Sequence, residues 1–175
     1  MTDLISGPLP AAPHLLDAAH TVQSSPYGWA EVLDQHSWRS LVVGLALLVE
    51  RLDHNLRRDH RLTFEEYTIL SAISDAPHGM SLEALGRSHP VSRMRLGPVL
   101  TRMQVAGWLL RQSGPWQPDS RVWVTPAGVE LVERAAPGHV AGLREYFLDH
   151  VDPDEFQVMA RAFDRVRSAL IDASA

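Results

Sequence analysis

The 175-residue sequence predicts a mainly α-helical fold with a small β-hairpin. Apolar side chains recur at three- and four-residue spacing through most of the chain, which is the period of an α-helix. Residues 108–124 are the exception, because branched and aromatic residues flank a turn-rich loop there. The sequence has no internal repeats. Its length fits one domain preceded by an arm.

Composition excludes several classes of protein. The chain has no cysteine, which rules out disulfides and thiolate metal sites. Hydrophobic residues make up 45% of it, a proportion that supports a folded core. No apolar run approaches the roughly 20 residues of a membrane span, and the N-terminus lacks the pattern of a secretory signal. We therefore expect a cytoplasmic protein with no membrane partner.

The net charge is -5, but it is unevenly distributed along the chain. Residues 81–125 contain six arginines and only two acidic residues, whereas the rest of the chain is acidic. A basic segment on an acidic body is typical of a protein that binds DNA. All 16 basic residues are arginine, which suits phosphate and guanine. The alternative explanation is a GC-rich genome that favours arginine codons.

An irregular arm, residues 1–36, is expected before a domain at residues 37–175, because prolines and glycines punctuate the arm. The first long helix is predicted over residues 37–60, with one apolar stripe that runs from Trp38 to Leu56. A stripe of this length needs a second helix to cover it, either from the same chain or from another.

Three shorter helices and a hairpin are predicted next, over residues of about 62–126. Thr63 and Glu66 form a capping-box pattern at the start of the second helix, and Ser81 has the position of an N-cap for the third. The strands are "GWLLRQ" and "RVWVT". This order predicts a winged helix-turn-helix. Such a module suits double-stranded DNA, because the major groove admits one helix and an arginine on the hairpin can enter the minor groove.

The fourth helix is the predicted reading helix, and Pro98 is its unusual feature. Apolar residues from Leu96 to Met103 would face the core, which turns Pro98 outward. Two arrangements are open. In the first, Ser92 caps the helix and Pro98 lies inside it, at a cost of about 3 kcal/mol. In the second, Pro98 itself occupies the favoured first position of the helix. The expected DNA contacts are Ser92, Arg93, Arg95, Pro98, Thr101, Arg102 and Arg121.

Two further helices complete the prediction. One starts at Pro126 and extends to about Val151, with a bend at Pro137. In the other, Asp152 is the N-cap and Pro153 holds the first helical position.

Taken together, these segments resemble the MarR family, the multiple-antibiotic-resistance regulators. The resemblance covers residues of about 37–171. It rests on "LTFEEYTILSAISDAP", "VSRMRL", "TRMQVAGWLLR" and "DSRVWVTPAG", the last of which contains the Asp-x-Arg and Thr-x-x-Gly patterns of that family. The order and spacing of the segments make the resemblance more specific than any segment alone.

The resemblance implies a homodimer, held by helices at about 37–60 and 127–172, whose two winged modules bind a pseudo-palindromic DNA operator. It also implies a repressor that a small, often aromatic, ligand releases from DNA. Trp38 and Tyr67 are candidates to line the ligand pocket, and the alternative is that they belong to the core.

Two features depart from the pattern of the family. Pro98 stands where a polar base-reading residue is usual, and the wing loop "SGPWQPDS" has no basic residue. The alternative function is therefore a dimeric module that binds a ligand or a protein and has lost sharp DNA reading. Arg121 either contacts phosphate or the minor groove, or is held by Asp119.

Neither catalysis nor a cofactor is expected. The nine histidines lack the spacing of a local metal site. The sequence also lacks a nucleophile elbow and a phosphate-binding loop. We therefore expect a protein that is not an enzyme and binds no metal.

Overall fold

A computed structural model describes residues 32–89, 93–112 and 120–173. Residues 90–92, the predicted wing loop at 113–119 and nearly all of the predicted arm lie outside these ranges. The predicted mainly helical fold with a small antiparallel sheet is confirmed. Its elements are helices α1 (Val32–His60), α2 (Phe64–Ser74), α3 (Leu82–Ser88), α4 (Arg93–Val105), α5 (Pro126–Tyr146) and α6 (Pro153–Asp172), and strands β1 (Met80–Ser81), β2 (Leu109–Gln112) and β3 (Arg121–Val124).

The chain divides into two compact units after Gly44, within α1. The described part of the first unit is the beginning of that helix. The predicted start of α1 at Ser37 is wrong, because the helix begins at Val32. The segment "VLDQH" contains neither proline nor glycine, so nothing in it stops the helix from extending backwards. The predicted domain boundary between residues 36 and 37 stays a prediction.

The core of the second unit forms where α2 packs on α5 and β3, and where α4 packs on β2. Tyr67, Leu70 and Ile73 recur at three-residue spacing on the inner face of α2 and are buried. These side chains leave water together with apolar residues from every neighbouring element, which is the main driving force for the fold. Those neighbours are Leu62, Ile69, Leu85, Leu96, Leu100, Met103, Leu109, Val122 and Leu131.

The sheet has the order β1-β3-β2, with both pairs antiparallel. Strands β2 and β3 are the predicted hairpin, paired from Leu109 opposite Val124 to Gln112 opposite Arg121. Strand β1 is not predicted by the sequence, because two residues are too few to show alternation. Its Ser81 also caps α3, since the hydroxyl accepts a hydrogen bond from the N–H of Ala84 at 3.1 Å.

Helix caps fix the ends of the long elements. The predicted capping box of α2 at Thr63 and the predicted N-cap of α6 at Asp152 are confirmed. The structure adds a capping box at α6, which Glu155 completes. The expected continuation of α5 to Val151 is wrong, because α5 ends at Tyr146 and a short 3-10 helix, Leu148–His150, follows it. Phe147 leaves the helical conformation, with φ −137°, and its ring contacts Phe156 of α6 edge to face. No helix in the described ranges is long and apolar enough to cross a membrane.

Candidate nucleic-acid interface

Helix α4 is continuous from Arg93 to Val105, and Pro98 lies inside it. The arrangement in which Pro98 starts the helix is therefore wrong. Proline has no N–H to donate to the carbonyl of Met94, so one helical hydrogen bond is missing. Nearby, the hydroxyl of Thr101 donates to the carbonyl of Gly97 at 3.0 Å.

The two faces of α4 differ sharply in burial. Leu96, Leu100 and Met103 are at most 1% exposed, which confirms the predicted inner face. The opposite face is open to solvent, and Val105 near its end is 84% exposed. The exposed residues of α4 are Arg95, Pro98, Thr101, Arg102, Gln104 and Val105.

Two of the predicted DNA-contacting arginines form ion pairs with carboxylates of α2. Arg95 Nη2 lies 3.5 Å from Glu65 Oε2, and Arg102 Nη2 lies 2.7 Å from Glu66 Oε1. No described partner of this Glu66 oxygen has hydrogen-bond geometry, so the second contact is an ion pair without a hydrogen bond. Both arginine side chains remain more than half exposed, so they keep donors for another ligand.

Sequence reasoning missed these two pairs for a specific reason. Acidic residues are common in the first turn of a helix, and the capping role of Glu66 already explains a glutamate at that position. The pair "EE" lies outside the basic segment at 81–125, so no local pattern connects it to α4. The carboxylates offset part of the positive charge that the segment alone indicates.

Arg121 at the start of β3 points to the backbone of the turn before β1. Its Nη1 donates to the carbonyl oxygens of His78 and Gly79, at 3.3 and 3.2 Å. These partners were not predicted, and Asp119 lies outside the described residues. The side chain is exposed overall, so it can still reach a ligand at the edge of the sheet.

Two other arginines of the basic segment are engaged elsewhere. Arg87 forms an ion pair with Glu83 one helical turn away. Arg111 lies on the inner face of the hairpin, where burial lowers the pKa of its guanidinium. Its Nε and Nη2 atoms are buried and have no hydrogen-bond partner among the described residues. The positive charge available to a ligand is therefore concentrated at Arg95, Arg102 and Arg121.

The remaining predicted residues are distributed as follows. Ser92 lies outside the described residues, and Arg93 is described by its backbone as the first residue of α4. Trp38 lies on the first unit and is 56% exposed. Tyr67 is buried in the second unit, where desolvation raises the pKa of its hydroxyl.

Tyr67 contacts His139 of α5, which borders a shallow cleft in the second unit. The two ring centroids are 4.5 Å apart, and burial lowers the pKa of His139. The cleft is small, with a cavity volume of about 10 Å³, and it opens to solvent. Among the residues described, no three histidine or acidic side chains are grouped to hold a metal ion. The cleft is lined by Leu52, Asn55, Leu56, Asp59, His60, Ala135, Gly138 and His139.

These elements define a winged helix-turn-helix module with an exposed reading helix. Two solved structures of MarR family transcriptional regulators from Streptomyces coelicolor share the arrangement. Sco3205, solved in complex with DNA, is 26% identical with a TM-score of 0.74, and the alignment covers 81% of this chain and 94% of that chain. AbsC is also 26% identical, with a TM-score of 0.71 and coverage of 81% and 97%.

A third regulator of that family and organism, Sco5413, is 19% identical over 81% of this chain and 98% of its own, with a TM-score of 0.67, and shows the fold alone. No family model matches the sequence, and no curated protein matches it either. The structural similarities confirm the predicted resemblance. The chain has the winged helix-turn-helix fold of MarR family transcriptional regulators.

Proposed function

We propose that the protein is a sequence-specific DNA-binding transcriptional regulator. The observation that carries this proposal is the outer face of α4, where Arg95 and Arg102 remain more than half exposed on the helix that a winged module inserts into DNA. Arg121 at the edge of the sheet supplies a third cation. The similarity to Sco3205, a regulator solved with DNA, supports this role.

The proposed contacts divide into two kinds. Arg93, Arg95, Arg102 and Arg121 would bind phosphates or base edges, since guanidinium groups match both. Ser92, Pro98 and Thr101 would contribute smaller contacts around them. Phosphate contacts hold the helix in register, and base contacts select the sequence.

We further propose that the regulator is a homodimer on a pseudo-palindromic operator. Helix α6 carries an apolar stripe at heptad-like spacing, of which Phe163 is 41% and Val166 51% exposed. A stripe of this kind is the seam of a helix pair, and leaving it in water is unfavourable. A second copy of the chain covers it in this proposal. The stripe consists of Phe156, Met159, Phe163, Val166 and Leu170.

Repression relieved by a small, often aromatic, ligand completes the proposal. The cleft beside His139 has a cavity volume of only about 10 Å³. Drug-sized sites begin at roughly 300 Å³, so a ligand would need the cleft to widen considerably. Adding salicylate or benzoate to the protein–DNA complex tests this part. Release of the DNA at millimolar acid, with no release by acetate, is the expected result.

A gel shift tests DNA binding itself. The protein is mixed with the DNA upstream of its own coding region, at low and moderate salt and with excess competitor. A discrete, competitor-resistant shift is expected, and its affinity should fall steeply with salt as phosphate-bound counterions are released. Arg95→Ala should weaken it by about 1–3 kcal/mol if Arg95 touches a base. Arg134→Ala on α5, which removes an exposed arginine outside the module, is the matched control.

The ion pairs of α4 favour one alternative function. If Glu65 and Glu66 neutralise Arg95 and Arg102 too strongly, the module has lost sharp DNA reading and binds a ligand or a protein instead. The same gel shift decides between the two functions. A smear that moderate salt abolishes would support the alternative and contradict a sequence-specific regulator.

A further inference from the structure

The centre of the exposed face of α4 is apolar. Successive helical residues are about 100° apart, so Pro98 and Val105 point within about 20° of each other, and Thr101 within about 60° of Pro98. All three are exposed, and Val105 is 84% exposed. Arg95 and Arg102 lie on one flank, towards α2, where they meet Glu65 and Glu66. We call Pro98, Thr101 and Val105 the apolar strip.

The apolar strip has almost no hydrogen-bonding capacity. Proline and valine side chains have no polar atom, and the hydroxyl proton of Thr101 is donated to the carbonyl of Gly97. Thr101 therefore presents its methyl group and a hydroxyl that has already used its donor. The apolar strip by itself therefore cannot distinguish base pairs by donating to their edges.

One feature of the major groove is nevertheless recognised by apolar contact, namely the C5-methyl group of thymine. The apolar strip extends over about 10 Å of helix axis, which is the length of about three base-pair steps. We propose that the apolar strip selects thymines, with Pro98, Thr101 and Val105 contacting their methyl groups while the flanking arginines contact the backbone. The proposal rests on the proposed function and names the base that the reading helix prefers.

Charge complementarity supports DNA as the occupant of this surface. The apolar strip lies beside Arg95 and Arg102, whose guanidinium groups are more than half exposed. In DNA, the major groove offers thymine methyl groups next to backbone phosphates, which matches this combination of apolar and cationic groups. An apolar protein partner would gain nothing from these cations. Cytosine methylated at C5 offers the same chemistry, and the experiment separates it from thymine.

The test begins with selection of duplexes from a pool that has a random centre two helical turns long. The selected duplex is then made again with deoxyuridine in place of thymine, one position at a time, because deoxyuridine pairs as thymine does and lacks only the methyl group. At one or more positions in each half-site, we expect binding to weaken about fourfold, the effect of exposing one buried methyl. The salt dependence should not change, since no phosphate contact is lost.

Matched variants assign the contact to the strip. Thr101→Ser removes only the methyl group of the side chain, whereas Thr101→Val keeps a methyl and removes the hydroxyl. We expect Thr101→Ser to abolish the effect of deoxyuridine at one position and Thr101→Val to preserve it. Val105→Ser should likewise abolish the effect of deoxyuridine, at a neighbouring position. Because Val105 is exposed, this variant should fold as the wild type does.

The outcomes separate this inference from the proposed function. Enrichment of a sequence that binds equally well with thymine or deoxyuridine everywhere would overturn the inference and leave the regulator intact. Tighter binding only when 5-methylcytosine replaces cytosine would overturn thymine as the base selected. If no sequence is enriched, the proposed function fails and the inference fails with it.

Discussion

Arg102 on the reading helix and Glu66 on α2 form an ion pair across the helix-turn-helix, with Nη2 and Oε1 2.7 Å apart. The Glu66 side chain is completely buried, and its other oxygen accepts hydrogen bonds from the N–H and the hydroxyl of Thr63, at 2.9 and 3.0 Å. The carboxylate thus caps α2 and holds α4 at once. An arginine predicted for DNA contact therefore also compensates a buried charge.

Replacing Arg102 by alanine should lower the free energy of unfolding. The change leaves the charge of a buried carboxylate compensated only by the Thr63 donors, which costs about 1–3 kcal/mol. Urea denaturation followed by circular dichroism measures the difference. Arg95→Ala is the matched control on the same helix face, because its 3.5 Å pair with partly exposed Glu65 is worth at most about 1 kcal/mol. If both variants lose the same free energy of unfolding, the ion pair with Glu66 contributes no more to stability than the ion pair with Glu65.

Pro98→Ala should change stability and DNA affinity in opposite directions. Alanine restores the N–H that the carbonyl of Met94 lacks and removes the clash of the ring, so unfolding should become more difficult by about 1–3 kcal/mol. The same change removes an apolar contact from the outer face, so binding to the selected DNA should weaken. Thermal unfolding and a binding titration on one preparation measure both. A rise in stability with unchanged affinity would exclude Pro98 from the interface.

Periodicity and capping patterns predicted most of the fold. The inner face of α4 and the capping box at Thr63 are local signals, because they depend on residues three or four positions apart. Strand β1 could not be found in this way, since Met80 joins the sheet only by pairing with Val122. The early start of α1 was missed because no N-cap pattern marks Val32.

The candidate site shows the same division between local and distant signals. The exposure of Arg95 and Pro98 on α4 followed from helical spacing. The partners of the arginines did not, because Glu66 is distant in sequence from Arg102 and because Arg121 binds backbone carbonyls, which carry no sequence signal. Side-chain identity therefore indicated which groups could bind DNA. The tertiary structure shows the ion pairs and hydrogen bonds that these groups form within the protein.

The Thr-x-x-Gly pattern at the start of α5 has a structural role that predicts a sharp response to substitution. A Cβ atom added at Gly128 would lie 2.2 Å from the carbonyl oxygen of Trp108, a backbone atom that Thr125 N–H also contacts at 3.0 Å. Gly128→Ala should therefore destabilise the protein by about 1–3 kcal/mol through overpacking. Gly138→Ala, in the same helix, has nothing within 4 Å and should stabilise it by up to about 1 kcal/mol. Thermal unfolding that shifts both variants in the same direction would contradict this account of Gly128.

His139 should make the stability of the protein depend on pH. Burial lowers its pKa below the ordinary value of 6.5, and its ring packs against Tyr67 and lies 6.0 Å from Phe64. As the pH falls through 6.5, the unfolded chain therefore binds a proton at this position before the folded chain does. The free energy of unfolding should decrease over that range because of His139 and should be insensitive to His139 above it.

Denaturation of the wild type and of His139→Phe at a series of pH values isolates this effect. Phenylalanine keeps a ring against Tyr67 and cannot titrate, so the variant should gain stability relative to the wild type as the pH falls below 6.5. The other residues that line the cleft are the same in both proteins, so the comparison isolates the effect of His139. Parallel pH profiles would show that the buried imidazole is protonated equally in the folded and unfolded states.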